Sequence, residues 1–230
     1  MQGTADIKAL HDAGTHVGFT RTRRNPSSVP FLYDTKDKTD IFDLEQTHKR
    51  LADACAFVSG LVQSGKSVLF VGGKHEAQGA IKSTAERVGA PYVAGRWIGG
   101  TLTNFKNIRK RIERLEKLTA DRDSGDLSKY TKRERLMIDR EIEELTGRFG
   151  GIVSMKDLPA ALFVVDPRHE KTAVAEANQM KIPVIALASS DCDFSLVQHP
   201  IPGNDTSVRS ISLVVGEMGT AIEEGKKVAK

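Results

Sequence analysis

The sequence predicts an α/β fold in which a parallel sheet is flanked by helices and interrupted by an antiparallel coiled-coil helical hairpin. Two observations point to the sheet. The runs SVLFV (67–71), ALFVV (161–165) and PVIAL (183–187) are short and rich in β-branched residues, and they alternate with helical patterns. Continuous apolar runs of this kind belong to strands covered on both faces, the signature of a parallel sheet. A third observation gives the hairpin: from Phe105 to Phe149 apolar residues recur in steps of three and four, with dense charge between them.

Bulk composition bounds the rest. The 230 residues suffice for one substantial α/β core with an insertion, and 39% hydrophobic with 28% charged content describes a globular chain. Lys+Arg number 34 against 30 Asp+Glu, a net charge of +4, which favours an anionic partner without demanding one. Cys55 and Cys192 are too far apart in sequence to suggest a disulfide framework or a cysteine zinc site. The start MQGTADIKALHDAG lacks a charged segment followed by an apolar run, and no stretch of eighteen apolar residues occurs, so neither secretion nor a membrane span is expected.

In chain order, residues 6–13 read as a short helix. The following arm, 14–40, is rich in Gly, Pro, Ser and basic residues and reads as irregular. Within it Arg21, Arg23 and Arg24 neighbour Phe19, Phe31 and Tyr33. Such a mixture serves either phosphate pairing with base stacking or a solvated loop whose aromatics tuck into the core. From Leu44, apolar residues at helical spacing (Leu51, Cys55, Val58, Val62) predict a helix ending near Ser64-Gly65.

That helix end overlaps GLVQSGKS (60–67), which fits the phosphate-loop spacing G-x-x-x-x-G-K-[ST]. A phosphate loop needs strand, glycine loop, helix, in that order. Here a helix precedes the motif and a strand follows, so its amides are expected at the wrong end of the sheet. Gly72-Gly73 stand better, between the strand SVLFV and a helix predicted over 75–88, although G-x-G-x-x-G is absent. A short strand at 91–93 leads to RWIGGTLTNF, which holds the only tryptophan. The hairpin follows, its helices joined by the polar turn ADRDSGDLS (120–128). A helix over 172–180 separates the last two buried runs, HPIPGND (199–205) reads as a rigid turn, and the segment from Ser210 is expected to be helical.

Chemistry is thinly signalled. Asp166 and Asp191-Cys192-Asp193 follow predicted strands, and with Asp205 and His199 they suggest an acidic metal site or a cysteine acyl-transfer site. No H-E-x-x-H spacing supports a metal, and carboxylates at strand ends commonly cap helices. The six histidines are scattered and read as structural.

The strings AGTHVGFTRTRRNP, DIFDLEQT, LFVGGKHEA, RWIGGTLTNFKNIRKRI, FGGIVSMKDLPAALFVVDPRHEKTAVAEANQMKIPVIAL and IPGNDTSVRSI, in that order, resemble the bacterial small-subunit ribosomal protein S-two family from about Ala13 to Ile211. The resemblance implies a flavodoxin-like sheet with a protruding coiled coil. It further implies a cytoplasmic place in the small ribosomal subunit between head and body, contacts with rRNA and other ribosomal proteins including the mRNA-handling S-one, and no catalytic activity. Phe19 stands where the family commonly has a second histidine, Arg24 replaces a tryptophan before Asn25-Pro26, SSDCDFSLVQHP replaces a loop with DTNCDP, and Thr206 stands where an acidic residue is frequent. These departures bear on any metal ion held by the family's histidines or acidic loop, and no cofactor is expected.

The expected organisation is therefore a discontinuous α/β domain, 1–104 and 150–230, with the basic arm 14–40 and a hairpin at 105–149. Expected rRNA contacts are Arg21, Arg23, Arg24, Arg96, Lys106, Arg109, Lys110, Arg111, Arg114 and Arg209. Expected structural residues are Trp97, Gly99, Gly100, Thr101, Thr103 and Asn104 at the junction with the hairpin, and Pro202, Gly203, Asn204 and Asp205. A second reading is a nucleotide-dependent α/β enzyme using Gly72, Gly73 and Asp166. A third is an interaction module built on the coiled coil.

Overall fold

The computed structural model describes residues 5–125, 127 and 130–228. Asp126 and Ser128 of the expected inter-helix turn lie outside the described residues. The chain begins with helix α1 (Ile7–Asp12), capped by Asp6, whose side chain accepts the Ala9 N–H at 2.7 Å. Next come β1 (Val17–Thr20), two short 3-10 turns, β2 (Leu32–Lys36) and β3 (Thr39–Phe42), then helix α2 (Leu44–Gln63).

The arm expected to be irregular is thus a three-stranded antiparallel sheet in the order β1-β3-β2. Its strands are only four or five residues long, and the β2–β3 turn places Asp37 and Lys38, not glycine, at φ of 49° and 65°. Hairpin turns of this hand are ordinarily announced by Asn-Gly or Asp-Gly, so the signal was missing. Asn25 N–H to Ser190 O at 2.8 Å and Phe19 N–H to Ser190 Oγ at 2.9 Å fasten this small sheet to the main body. Phe42, Cys192 and Phe194 form a small apolar cluster beneath it, with Phe31 stacked on Phe194 at 5.0 Å.

The main body follows as β4 (Val68–Val71), α3 (His75–Val88), β5 (Tyr92–Val93), the hairpin helices α4 (Phe105–Asp123) and α5 (Lys132–Phe149), β6 (Ala161–Val165), α6 (Lys171–Gln179), β7 (Val184–Ala188), β8 (His199–Pro202) and α7 (Val208–Val228). Five strands pair in parallel in the order β5-β4-β6-β7-β8. Counted from β4, that is 2-1-3-4-5, the flavodoxin-like order, with its switch point between β4 and β6.

Alternate residues of each strand face opposite layers. Val68, Phe70, Phe163, Val165, Ile185 and Leu187 pack with α2, α3 and α7. Leu69, Val71, Leu162, Val164 and Val184 join Ala173, Val174 and Ala177 of α6, but also Trp97, Ile108, Ile112 and Phe149. The base of the hairpin therefore completes the second face of the sheet, while Leu115, Leu118, Ile142 and Leu145 continue the seam outward. Arg114 Nε donates to Glu141 Oε1 across the two helices at 3.1 Å, and α5 opens on a capping box of Thr131 and Glu134.

One further expectation changes. HPIP, read as part of a turn, is the edge strand β8, pairing with β7 through Ala186↔Pro200 and Ala188↔Pro202. Proline is tolerated there because an edge strand can leave one side of its backbone unpaired.

Candidate functional site

At the switch point, the ends of β4 and β6 bring Gly72, Gly73, Lys74 and Asp166 together. In a nucleotide-binding sheet the amides here would face a phosphate. Instead Glu170, buried, accepts the Gly73 N–H through Oε1 at 3.0 Å, and the same oxygen lies 2.8 Å from His169 Nδ1. A Cβ on Gly73 would lie 2.6 Å from Gly95 O, so the chain's own backbone closes on the position. Lys74 Nζ donates to Asp166 Oδ2 at 3.2 Å and to Asp205 O at 3.0 Å, with Asp205 Oδ1 at 3.5 Å. The crevice is filled by a carboxylate and an ammonium of the protein itself.

Asp166, Cys192 and Asp205 bring their donor atoms within 4.8 Å of one another. The other residues expected in an acidic site are engaged elsewhere: His199 stacks on Phe57 at 4.1 Å, Asp193 accepts the Ser195 N–H at 2.9 Å, and Asp191 pairs with Arg168 at 2.5 Å. Burial, and then the Asp166 charge, push the Asp205 carboxyl up to about 7 against the pull of Lys74. Burial and the surrounding carboxylates Asp205, Asp166 and Asp191 hold the Cys192 thiol far above its usual range, so it is protonated and no nucleophile. The Lys74 ammonium sits against the Asp166 and Asp205 carboxylates and supplies a positive charge there from the protein itself.

The phosphate-loop spacing is likewise absorbed by the fold. Gly60 lies in the last turns of α2, and Ser64, Gly65 and Lys66 donate their N–H groups to Gly60 O, Val62 O and Leu61 O at 3.3, 2.9 and 3.1 Å. Gly65 takes φ of 72°, the left-handed position that closes a helix. These amides face helix carbonyls at the end of the sheet opposite the switch point.

RWIGGTLTNF wraps one buried carboxylate. Glu176 on α6 accepts from Trp97 Nε1 (3.1 Å) and Gly100 N–H (2.7 Å) through Oε1, and from Leu102 N–H (3.0 Å), Thr103 N–H (3.2 Å) and Thr103 Oγ1 (3.2 Å) through Oε2. Burial works to raise its pKa, yet the bonds from Leu102, Trp97, Gly100 and Thr103 together hold it below the ordinary value. Gly100 needs its residue type, because φ there is 88°. Thr101 Oγ1 closes the turn on Ile98 O at 2.6 Å, while Gly99 and Asn104 are exposed at its rim. Sequence reasoning named the loop and missed Glu176; the available signal was a run of loop amides that needs an acceptor opposite it.

IPGND performs the corresponding task at the other end of the chain. Pro202 O accepts Thr47 Oγ1 at 2.8 Å, and a Cβ on Gly203 would lie 2.7 Å from Thr15 Cγ2. Asn204 Oδ1 accepts the Thr206 and Ser207 N–H groups just ahead of α7 while its Nδ2 donates to Gly14 O at 3.2 Å. Asp205 Oδ2 accepts the Ser189 N–H at 3.3 Å.

The ten basic residues divide by environment. Arg24 is drawn inward: its Nε donates to Oδ2 of the fully buried Asp40 at 2.8 Å and its Nη2 to Thr35 Oγ1 at 2.5 Å. Arg109 donates to Val153 O at 3.0 Å and pairs with Glu116 at 2.7 Å, and Arg114 pairs with Glu141. Arg21, Arg23, Arg96, Lys106, Lys110, Arg111 and Arg209 are exposed, with Arg23 lying over the Phe19 ring at 5.2 Å. Arg21 and Arg23 lie in the 3-10 turn after β1, Arg96, Lys106, Lys110 and Arg111 in the loop before α4 and its first turns, and Arg209 at the start of α7.

Residues 10–225 match the family model described as ribosomal protein S2. A curated relative named small ribosomal subunit protein uS2, from Coprothermobacter proteolyticus, is 42% identical over 221 residues, covering 96% of this chain and 82% of its own. A protein of the same name from Roseiflexus sp. strain RS-1 is 42% identical over 225 residues, covering 98% and 86%. Another, from Petrotoga mobilis, is 42% identical over 221 residues, covering 96% and 77%. Match and fold agree along nearly the whole chain, and the chain belongs to the ribosomal protein S2 family.

Proposed function

We propose that this protein is a structural constituent of the small ribosomal subunit in the cytoplasm, binding small-subunit rRNA and neighbouring ribosomal proteins between head and body and supporting translation. Family membership carries the reading. The charge layout supports it, since exposed cations that pair with no carboxylate among the described residues are the groups that can pair with phosphates. Arg21, Arg23, Arg96, Lys106, Lys110, Arg111 and Arg209 are the proposed contacts; Arg24, Arg109 and Arg114 act first in holding the fold. Protein S-one is proposed as a further partner through the same family reading.

The role requires neither catalysis nor a cofactor. The nucleotide-enzyme reading finds its glycine amide and its aspartate already engaged by Glu170 and Lys74. No described helix is long and apolar enough to cross a membrane, and no membrane partner is proposed. The α/β body and the hairpin at 105–149 are proposed to contact the subunit as two modules.

Sedimentation of cell extract tests the proposal. The protein is expected with the small subunit at low salt and free of it in high salt, because each phosphate contact adds to the salt dependence. Migration apart from the subunit at low salt, or saturable nucleotide binding near micromolar by calorimetry, would overturn it.

A further inference from the structure

A groove of about 630 Å³ lies where α4, α5 and the glycine loop meet, within the roughly 300–1,000 Å³ range of ligand clefts. Its floor is apolar, formed by Ile98, Ile108, Leu145 and Phe149. Lys110, Arg111, Arg114 and Arg148 line it with Glu141 as the sole carboxylate, so four cations face one anion. Glu141 is held by Arg114, and Arg148 pairs with Glu144 at 2.8 Å.

The remaining polar groups of the wall are unengaged. Asn104, Asn107, Lys110 and Arg111 are exposed, and their side chains make no hydrogen bond or ion pair among the described residues. Asn104 is the N-cap of α4, and Asn107 and Arg111, four residues apart in the helix, share one of its faces. The Asn104 amide does not even cap its own helix, the commonest use of asparagine at that position.

We infer that this groove receives a single unpaired nucleotide of RNA, its base over the apolar floor and against the Asn104 and Asn107 amides, its phosphates on Lys110 and Arg111. An amide supplies donor and acceptor together, the pairing a base edge requires, and cations alone would not need it. A base within a duplex keeps its edge paired and its faces stacked, so only a bulged or single-stranded nucleotide can enter. An acidic protein segment would satisfy the cations alone, whereas a nucleotide places an apolar ring face, a polar edge and a phosphate against the floor, the two asparagines and the cations together. The inference rests on the rRNA-binding reading and names the class of RNA element that reading leaves open.

Filter binding of the full chain to two rRNA-derived hairpins tests it, one fully paired and one carrying an unpaired nucleotide, across a salt series. Wild type is expected to prefer the second. Asn104→Ala/Asn107→Ala should lose about tenfold on the bulged RNA alone, with its salt slope intact. Lys110→Gln/Arg111→Gln should weaken both RNAs and lower the slope by roughly 0.7–0.9 per lost contact. Melting temperatures of both variants should match wild type, since neither pair bonds within the fold.

Equal losses on both RNAs for the asparagine variant, or no loss, would overturn the groove while leaving rRNA binding intact. Unchanged RNA binding with loss of a small-subunit protein from a pull-down on Lys110→Gln/Arg111→Gln would assign the groove to a protein segment instead. Failure of wild type to bind either RNA would overturn the rRNA reading itself.

Discussion

Trp97 Nε1 donates to Glu176 Oε1 at 3.1 Å, tying the chain's only tryptophan to α6 beneath the root of the hairpin. Both residues are buried, and the ring packs with Ile108, Phe149 and the second face of the sheet. Trp97→Ala should therefore lower stability by about 3–5 kcal/mol, the range for loss of a large buried ring. A thermal melt of the protein without RNA reads this directly. An unchanged melt with weakened RNA binding would assign the ring to base stacking instead.

Glu176→Gln probes the same contact from the other side. One oxygen that accepts two or three N–H and O–H groups becomes an amide donor facing donors, at a cost of about 3 kcal/mol. The pH dependence carries a sign. The folded carboxyl titrates below its ordinary 4.5, so its stabilisation is present above that value and disappears as pH falls through the folded pKa. Wild type should lose stability below about pH 4.5, and Glu176→Gln should lose less over the same acid window in pH-dependent melts.

How much of this was legible follows from what each residue's neighbours are. The strand runs SVLFV, ALFVV and PVIAL read correctly because apolar residues on both faces need only local sequence, and the helix over 75–88 closed on Gly89 at φ of 61°. Trp97, Gly100 and Asp205 could be named, but not their partners Glu176 and Lys74, which lie 79 residues from Trp97 and 131 from Asp205. The partner of Arg24 was hidden for the same reason: Asp40 comes within its reach only through the β1-β3-β2 pairing.

The Asp40 contact separates two classes of arginine. Removing Arg24 leaves the fully buried Asp40 carboxylate uncompensated, so Arg24→Gln should cost about 3 kcal/mol or more. Arg21→Gln/Arg23→Gln should leave the melt within about 0.5 kcal/mol of wild type, because both side chains are exposed. Their RNA affinity should fall, with the salt slope reduced by roughly 0.7–0.9 for each lost phosphate. Melts and salt-dependent RNA titrations on the two variants should thus respond in opposite ways.

Asp205 imposes a pH dependence of the other sign. Its carboxyl is raised to about 7 from 3.8, chiefly by burial, so the folded state holds a proton that the unfolded state has released between those values. The contribution is greatest in acid and declines as pH rises from about 4 towards 7. Asp205→Asn keeps a neutral side chain at every pH and should flatten the stability profile across this interval. Denaturant unfolding at several pH values from 5 to about 8 would show the flattening; parallel profiles for the two proteins would mean that Asp205 is ionised in the fold.

The phosphate-loop spacing yields the last expectation. Lys66 follows the C-terminus of α2, its N–H bonded to Leu61 O, and its side chain is exposed. In a true phosphate loop this lysine would carry nucleotide affinity, and its loss would abolish binding. Here Lys66→Ala removes a solvated cation beside a helix end already closed by Gly65, and should change stability by no more than about 0.5 kcal/mol. Gly65→Ala is the contrasting change: φ of 72° disfavours any Cβ, and the strain should cost about 1 kcal/mol although nothing lies within 4 Å of the added atom. Comparing the two melts tests whether GLVQSGKS serves the backbone, because a helix stop depends on the glycine while a phosphate site depends on the lysine.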